Sequence, residues 1–436
     1  RGCWSAYTLE ISRDVQGNDS KSKGGLYVRL FVGLDVSSFD MKVCFLNEEG
    51  DKIDAFSVSN DLPGATTLKE RLLQCVTGKE VEMLKIGLES TSVYSFHPSM
   101  FLHHDTDLQH FGAKVFLLNP KQIANFKKSY SDMDKTDELD AFVIADYLRF
   151  GRNQMSIVKE SQYVALQQLT RTRYQLVKML TKEKQHFLQH LSFKCNTFSQ
   201  EVDSSVFGNA MMELFLEKFS LEELANMPLE ELAEFLQEKG RNRFGDPRFI
   251  ASSIQRAVKA SYRLDKVVED SIDVILGTSI TVIRTFQQQI KELEKSIKKI
   301  MAGLTQTLES IPGVGPVFAA GIIAEIGQIE RFEDETKIAK YAGIYWRKHQ
   351  SGRFTAEDTS LSRTGNHYLR YYLVEAANSV RRHVSDYQEY YIKKYNEVPK
   401  HQHKRALVLT ARKFVRLVDA LLRSHQLFTP ERCVKI

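Results

Sequence analysis

Between residues 26 and 60 the chain alternates short apolar runs with turn residues. LYVRLFVGLDV, MKVCFLNEEG and KIDAFSVSN read as three strands, each rich in β-branched and aromatic residues. Asn, Glu and Gly between them supply tight turns, so an antiparallel meander is predicted. From 63 to 76 the period changes, and Leu68, Leu72 and Leu73 recur at helical spacing. VEMLKIGLES (81–90) and KVFLLNP (114–120) return to the strand pattern, with a helix expected between them. DKTDELDAFVIADYLRF then carries a helix over 137–150.

The order β-β-β-α-β-α-β-α predicts an α/β domain with a mixed sheet, in the order of the ribonuclease-H-like fold. Beyond it the pattern is helical. Leu166, Leu169, Leu176, Leu180, Phe187 and Leu191 mark one long helix over 161–193. A second is expected over 262–304, where Ile290, Leu293, Ile297 and Ile300 step by 3, 4 and 3 as in a coiled-coil seam. The two helices flank a smaller helical insert at 196–260, which predicts an antiparallel hairpin with a tip subdomain. Such a hairpin reads equally as a dimerisation stalk, an RNA platform or a plain spacer. LESIPGVGPVFAAGIIAEIG (308–327) has the helix-hairpin-helix pattern. Gly313 and Gly315 would allow the turn, and the next helix's first amides would meet a phosphate without reading a base. The predicted segments are a leader (1–27), the mixed-sheet domain (28–152), a coiled-coil region with its insert (153–304) and a mostly helical C-terminal domain (305–436). The leader is polar and aperiodic and is expected to lie outside the fold, with Val28 as an alternative start.

Composition narrows the classes. The chain has 436 residues, 42% hydrophobic and 26% charged, as a globular protein does. No apolar run reaches the roughly 18 residues that span a bilayer. The five cysteines include no CxxC pair, which argues against a disulfide scaffold or zinc ribbon and fits a reducing cytoplasm. From residue 337 onward 20 Lys and Arg face 8 Asp and Glu, although the whole chain carries only +5. A basic end on an otherwise acidic chain points to a polyanion, with nucleic acid first. Arg381, Arg382, Lys404 and Arg405, interleaved with tyrosines, would supply phosphate contacts and stacking.

The acids fall where strands end. Asp35 closes the first strand and Glu89 the fourth, while Asp137 and Asp140, three apart, share a helix face. Strands one and four would be neighbours under the last helix, so four carboxylates converge. Like charges so close repel unless a cation joins them. Hard oxygen donors suit Mg²⁺ or Mn²⁺, and two such ions about 3.5–4 Å apart serve phosphoryl transfer. Each acid alone reads as structural, and Asp132, Asp134 and Glu138 lie close by in sequence. The joint order carries the metal reading. In SLSRTGNHYLR, Ser362 occupies a Gly-containing turn with Arg363 and Arg370 near it. A serine there can attack phosphorus while arginines hold the oxygens, but it needs activation, and no His-Asp pair adjoins it. The residues alone favour a serine that caps the helix starting near Asn366 or contacts a phosphate. Ser351 and Ser360 are the neighbouring alternatives.

VGLDVSS, GLESTS, LLNP, KTDELDAFVIADYLR, SIPGVGPVFAAGIIAEIG, KYAGI, QSG and LSRTGNHYLRYYL together resemble insertion-sequence transposases of the IS-one-ten (DEDD) family, in that family's order over about residues 28–422. Tyr345-Trp346 departs from the family, where a proline is more usual. The resemblance implies a RuvC-like nuclease domain whose acids are Asp35, Glu89, Asp137 and Asp140, a Mg²⁺ (or Mn²⁺) cofactor, and Ser362 as the nucleophile of a C-terminal transposase domain. It also implies donor and target DNA, a noncoding guide RNA made from the element, and a homodimer or homotetramer. A bacterial or archaeal cytoplasm, at the nucleoid and without a membrane, is the implied location. The alternative is a metal-dependent Holliday-junction-type endonuclease in which water attacks.

Overall fold

A computed structural model describes residues 27–430 apart from 91–92, 131–136, 152–157, 347–349, 352–353, 356–360 and 363. The chain divides into two compact units, one up to Val158 and the other from Lys159.

In the first unit, Tyr27–Val36 (β1), Asp40–Leu46 (β2), Lys52–Ser59 (β3), Glu80–Glu89 (β4) and Lys114–Leu118 (β5) form one sheet in the order β3-β2-β1-β4-β5. β1, β2 and β3 run antiparallel, whereas β1, β4 and β5 run parallel. This mixed sheet is the ribonuclease-H-like one that the order of elements predicted. The helices are Leu62–Val76 (α1), Phe96–His104 (α2), Thr106–His110 (α3), Pro120–Lys127 (α4) and Asp137–Arg149 (α5). β1 is central and buried on both faces, which is why its sequence is a nearly continuous apolar run. Leu30, Val32 and Leu34 pack with Leu68 and Leu72 of α1 and Leu102 of α2. Phe31, on the opposite face, packs with Val143, Ile144 and Leu148 of α5. Asp61 starts α1 by accepting the Gly64 amide at 2.8 Å, ahead of Pro63 in the first turn.

The second unit is helical. Ser161–Lys194 (α6) and Lys266–Met301 (α12) pair antiparallel: Arg173 meets Glu294 at 2.7 Å, and Lys194, a helix-length further on, meets Asp273. Their far ends enclose Phe198–Glu201 (α7), Asn209–Leu216 (α8), Leu221–Asn226 (α9), Leu229–Lys239 (α10) and Pro247–Ala260 (α11). One core joins Phe187 and Leu191 of α6, Met211 and Leu214 of α8, Leu232 of α10, Ile254 of α11, and Leu276 and Ile280 of α12. The insert is therefore a small helical globule built onto the hairpin. Of the predicted seam, Ile290 and Ile297 are buried, while Leu293 and Ile300 are half-buried.

The remaining elements are a 3-10 turn at Leu308–Ser310, Pro316–Ile326 (α13), a 3-10 turn at Ile329–Arg331, Glu335–Ala342 (α14), the two-residue strands Gln350–Ser351 (β6) and Phe354–Thr355 (β7), His367–Val380 (α15), Ser385–Asn396 (α16) and Gln402–Ser424 (α17). The segment ahead of the PGVGP turn is one 3-10 turn rather than a full helix. Only Gly313 needs its freedom, with φ +92°, and a Cβ there would stand 2.8 Å from His383. Gly315 has φ −83° and heads α13 with open space around it, so the second glycine is not demanded by the turn. No described helix is long and apolar enough to cross a membrane.

Candidate catalytic centre

The centre of the first unit depends on a close approach of helix to strand. A Cβ on Gly33 would lie 2.0 Å from the Ala141 carbonyl oxygen and 2.5 Å from the Ala145 nitrogen. Only glycine lets α5 rest its two alanines directly on the backbone of β1. Gly33 pairs with Gly87 on β4, and Leu34 with Leu88. The next step along the register brings the ends Asp35 and Glu89 side by side. Side chains alternate along a strand, so Asp35 and Glu89 share the face of Gly33 and Gly87, the face that α5 covers. Asp140 precedes Ala141 on that helix.

Glu89 feels both of the other acids. Burial, and then the negative charges of Asp35 and Asp140, push the Glu89 carboxyl up to about 7, against the opposing ammonium of Lys127. Lys127, at the end of α4, donates to Asp140 Oδ1 and forms an ion pair with it. Glu89 is thus within electrostatic reach of both Asp35 and Asp140. Asp137 opens α5, and its side chain lies outside the described part. The donor set, carboxylate oxygens crowded enough to raise one member's pKa, suits a hard divalent cation. Among the described residues no three acid, histidine or cysteine side chains already converge as ligands, and Lys127 occupies Asp140. A cation would displace that ammonium.

Ser362 lies in the second unit. Its amide donates to the Tyr345 carbonyl at 2.9 Å, and Leu361 bridges to Trp346. Its Oγ is buried and has no hydrogen-bond partner among the described residues. It does not cap α15. Asn366 does, with its side-chain oxygen accepting the Tyr368 and Leu369 amides at 3.0 Å each. The capping role considered for Ser362 is therefore excluded: the helix begins one residue after Asn366, whose shorter reach to those amides suits the cap. Arg363 and Ser360 are outside the described residues, and the side chain of Ser351 is too. Arg370 donates to the Ala342 carbonyl at 3.1 Å. The field at this loop is positive: burial, followed by the charges of Arg171, Arg370 and Lys178, holds His367 below the usual histidine value.

The other expected nucleic-acid contacts are spread over the C-terminal helices. Arg381 lies 4.2 Å over the Tyr391 ring and Arg382 is exposed at the end of α15. Lys404 is exposed, whereas Arg405 is paired with Glu397 at 3.1 Å. Lys413 stands 5.0 and 5.2 Å over the rings of Tyr387 and Tyr390. Sequence reasoning missed Lys127 and, more consequentially, Glu325. Glu325 is the single acid in the apolar helix PVFAAGIIAEI, and that isolation was the available signal.

A ribonuclease-H-like sheet with acids at the ends of its two central strands defines a class of phosphoryl-transfer enzymes that process polynucleotides. The comparisons place the chain within that class. A DEDD-type IS110 transposase profile matches residues 32–195, and the profile of the IS116/IS110/IS902 transposase family matches residues 305–392. Together they account for more than half of the chain. The chain is 24% identical over 413 residues to the insertion element IS116 uncharacterized 44.8 kDa protein of Streptomyces clavuligerus, covering 92% of this chain and 96% of that one. It is 27% identical over 166 residues to the transposase for insertion sequence element IS1111A of Coxiella burnetii, covering 36% and 43%. It is 28% identical over 102 residues to a probable family 20 transposase of Pseudomonas aeruginosa, covering 23% and 30%. The protein belongs to the IS110 family of insertion-sequence transposases, and is an enzyme that acts on DNA.

Proposed function

We propose that this transposase is an RNA-guided DNA recombinase, with Asp35, Glu89, Asp137 and Asp140 holding Mg²⁺ (or Mn²⁺) and Ser362 as nucleophile. The observation that carries the serine role is a buried Oγ without a hydrogen-bond partner among the described residues, at a residue whose amide is held by the Tyr345 carbonyl. Buried polar atoms in proteins are paired in the great majority of cases, so a hydroxyl with no partner among the described residues fits a group held for a ligand. In the reaction the serine oxygen bonds to phosphorus and the bond from phosphorus to the 3′-oxygen breaks. The serine proton is lost, the departing oxygen gains one, and the DNA is left joined through its 5′-phosphate. Arg370 and the positive field around His367 would steady the phosphate oxygens. Divalent ions, if bound by the carboxylates of the first unit, would supply positive charge for phosphoryl transfer. The guide RNA, the homodimer or homotetramer and the nucleoid setting rest on the resemblance in sequence.

The test uses cells carrying the intact element, which supplies both its DNA ends and any RNA. Denatured protein is recovered and assayed for covalently bound DNA. Wild-type protein is expected to carry an adduct that Ser362→Ala lacks. An adduct surviving in Ser362→Ala moves the nucleophile elsewhere. DNA cutting by the wild type without any adduct favours water attack, as in a junction endonuclease. Sequencing RNA that copurifies tests the guide: one discrete RNA from the element is expected, and only bulk ribosomal and transfer RNA would contradict it.

A further inference from the structure

The serine loop has one set of anchors close at hand. Leu361, the Ser362 amide and the Asn366 amide all attach to the segment 341–346, the last through a 2.6 Å bond to the Tyr341 carbonyl. A separate anchor comes from α13. Glu325 is completely buried. Arg171 donates to both its oxygens, Nε to Oε1 at 2.7 Å and Nη2 to Oε2 at 2.9 Å. Gln167 donates to Oε2 at 2.8 Å, and Asn366 Nδ2 to the same oxygen at 2.7 Å. Lys159 fixes the end of the helix by donating to the carbonyls of Ala324 and Glu325 at 2.7 and 3.0 Å.

A buried charge is a poor way to gain stability, since apolar residues of like volume often do as well. What this carboxylate adds is direction. Asn366 is held at both ends: its oxygen caps α15 and its amide meets Glu325. Three residues separate it from Ser362. We propose that Glu325 is a positioning residue for Ser362, setting through Asn366 the place from which the hydroxyl approaches phosphorus. The inference rests on the reading of Ser362 as nucleophile.

The test is an exchange of groups. Glu325→Gln sets an amide against donors that need a carboxylate. Asn366→Asp keeps the cap acceptor but turns two carboxylates toward each other. The double variant restores one donor opposite one acceptor, so its hydrogen bond and total charge are recovered. In cells carrying the intact element, each single variant is expected to lower covalent adduct about 100-fold, the scale of a small misplacement of a reacting group, and the double variant to recover most of it. Hydrogen exchange on the purified proteins is expected to show the Ser362 and Asn366 amides losing protection in the single variants and regaining it in the double. Lower melting temperatures with unchanged adduct per folded molecule, or a folded double variant without recovery, would overturn the inference. If Ser362→Ala keeps the adduct, the nucleophile reading fails separately. Exchange then decides positioning alone, and an unchanged Ser362 amide in Glu325→Gln would overturn it.

Discussion

Two glutamates near the ends of apolar elements meet opposite surroundings. Glu89 faces Asp35 and Asp140 with one lysine nearby, and its carboxyl is pushed up to about 7. Burial also pushes Glu325 up, but the hydrogen bonds and charges of Arg171, the charge of Lys159 and the Asn366 amide outweigh it and hold it below the usual carboxylate range. One region has an excess of negative charge that a cation would relieve. The other is complete within the chain. A buried or crowded carboxylate is thus informative through its partners: left short of them it signals a ligand, and fully supplied it signals a fixed geometry.

The largest expected effect separates activity from folding. Asp140→Ala removes a proposed cation ligand and should abolish recombination of a reporter element, while the purified protein stays folded and loses no more than the about 0.5–1 kcal/mol of its partly exposed pair with Lys127. Recombination at the wild-type level would remove Asp140 from the centre. In the other region the order reverses, and stability suffers first. Glu325→Ala leaves Arg171 and Lys159 without their counter-charge and should cost about 3 kcal/mol in denaturant unfolding, the lower end for a broken buried pair, because the Arg171 side chain keeps 35% exposure.

The two regions should also respond oppositely to pH. The folded-state pKa of Glu89 lies near 7, above its ordinary 4.5. Its contribution to stability is therefore full below about pH 4.5 and is lost as pH rises through 7. Glu89→Gln should stabilise the metal-free protein at pH 8 by about 1 kcal/mol, a figure reduced for solvent screening of a half-buried group. Glu325 is depressed, so its contribution is present above its ordinary value and lost in acid. Burial holds Lys159, despite Glu325, at about 7 instead of 10.5, so its unfolded form binds the extra proton and stability should rise with pH across that window. Unfolding free energies from pH 2 to 10 for the wild type, Glu89→Gln, Glu325→Gln and Lys159→Met check the three signs. The smallest effect is expected from Lys127→Met. Losing a partly exposed pair worth about 0.5–1 kcal/mol should free Asp140 and tighten Mg²⁺ binding a few-fold by calorimetry.

Much of the first unit was legible because strand and helix periods differ and its strands are short and apolar. The placement of acids at strand ends followed from that order, and Glu89 feels the charges of both Asp35 and Asp140. The approach of α5 to β1 was not legible: Gly33 announces a missing side chain but not that Ala141 and Ala145 fill the space. Lys127 was hidden because a single lysine at a helix end is ordinary. Around Ser362 the loop could be recognised but not its mechanics. Asn366, not the serine, caps α15, and Glu325 reaches Asn366 from an element 41 residues away in sequence. Long-range pairing of this kind leaves no period to read.

The most direct measurement is Mg²⁺ titration of the purified protein at pH 8, followed by unfolding of the first unit, for wild type, Asp140→Ala and Glu325→Gln. A cation that binds only the folded state stabilises it in proportion to the logarithm of its concentration. Wild type and Glu325→Gln should gain stability together while Asp140→Ala gains none. An equal response in all three, or none in the wild type, would contradict a cation centre built on these carboxylates.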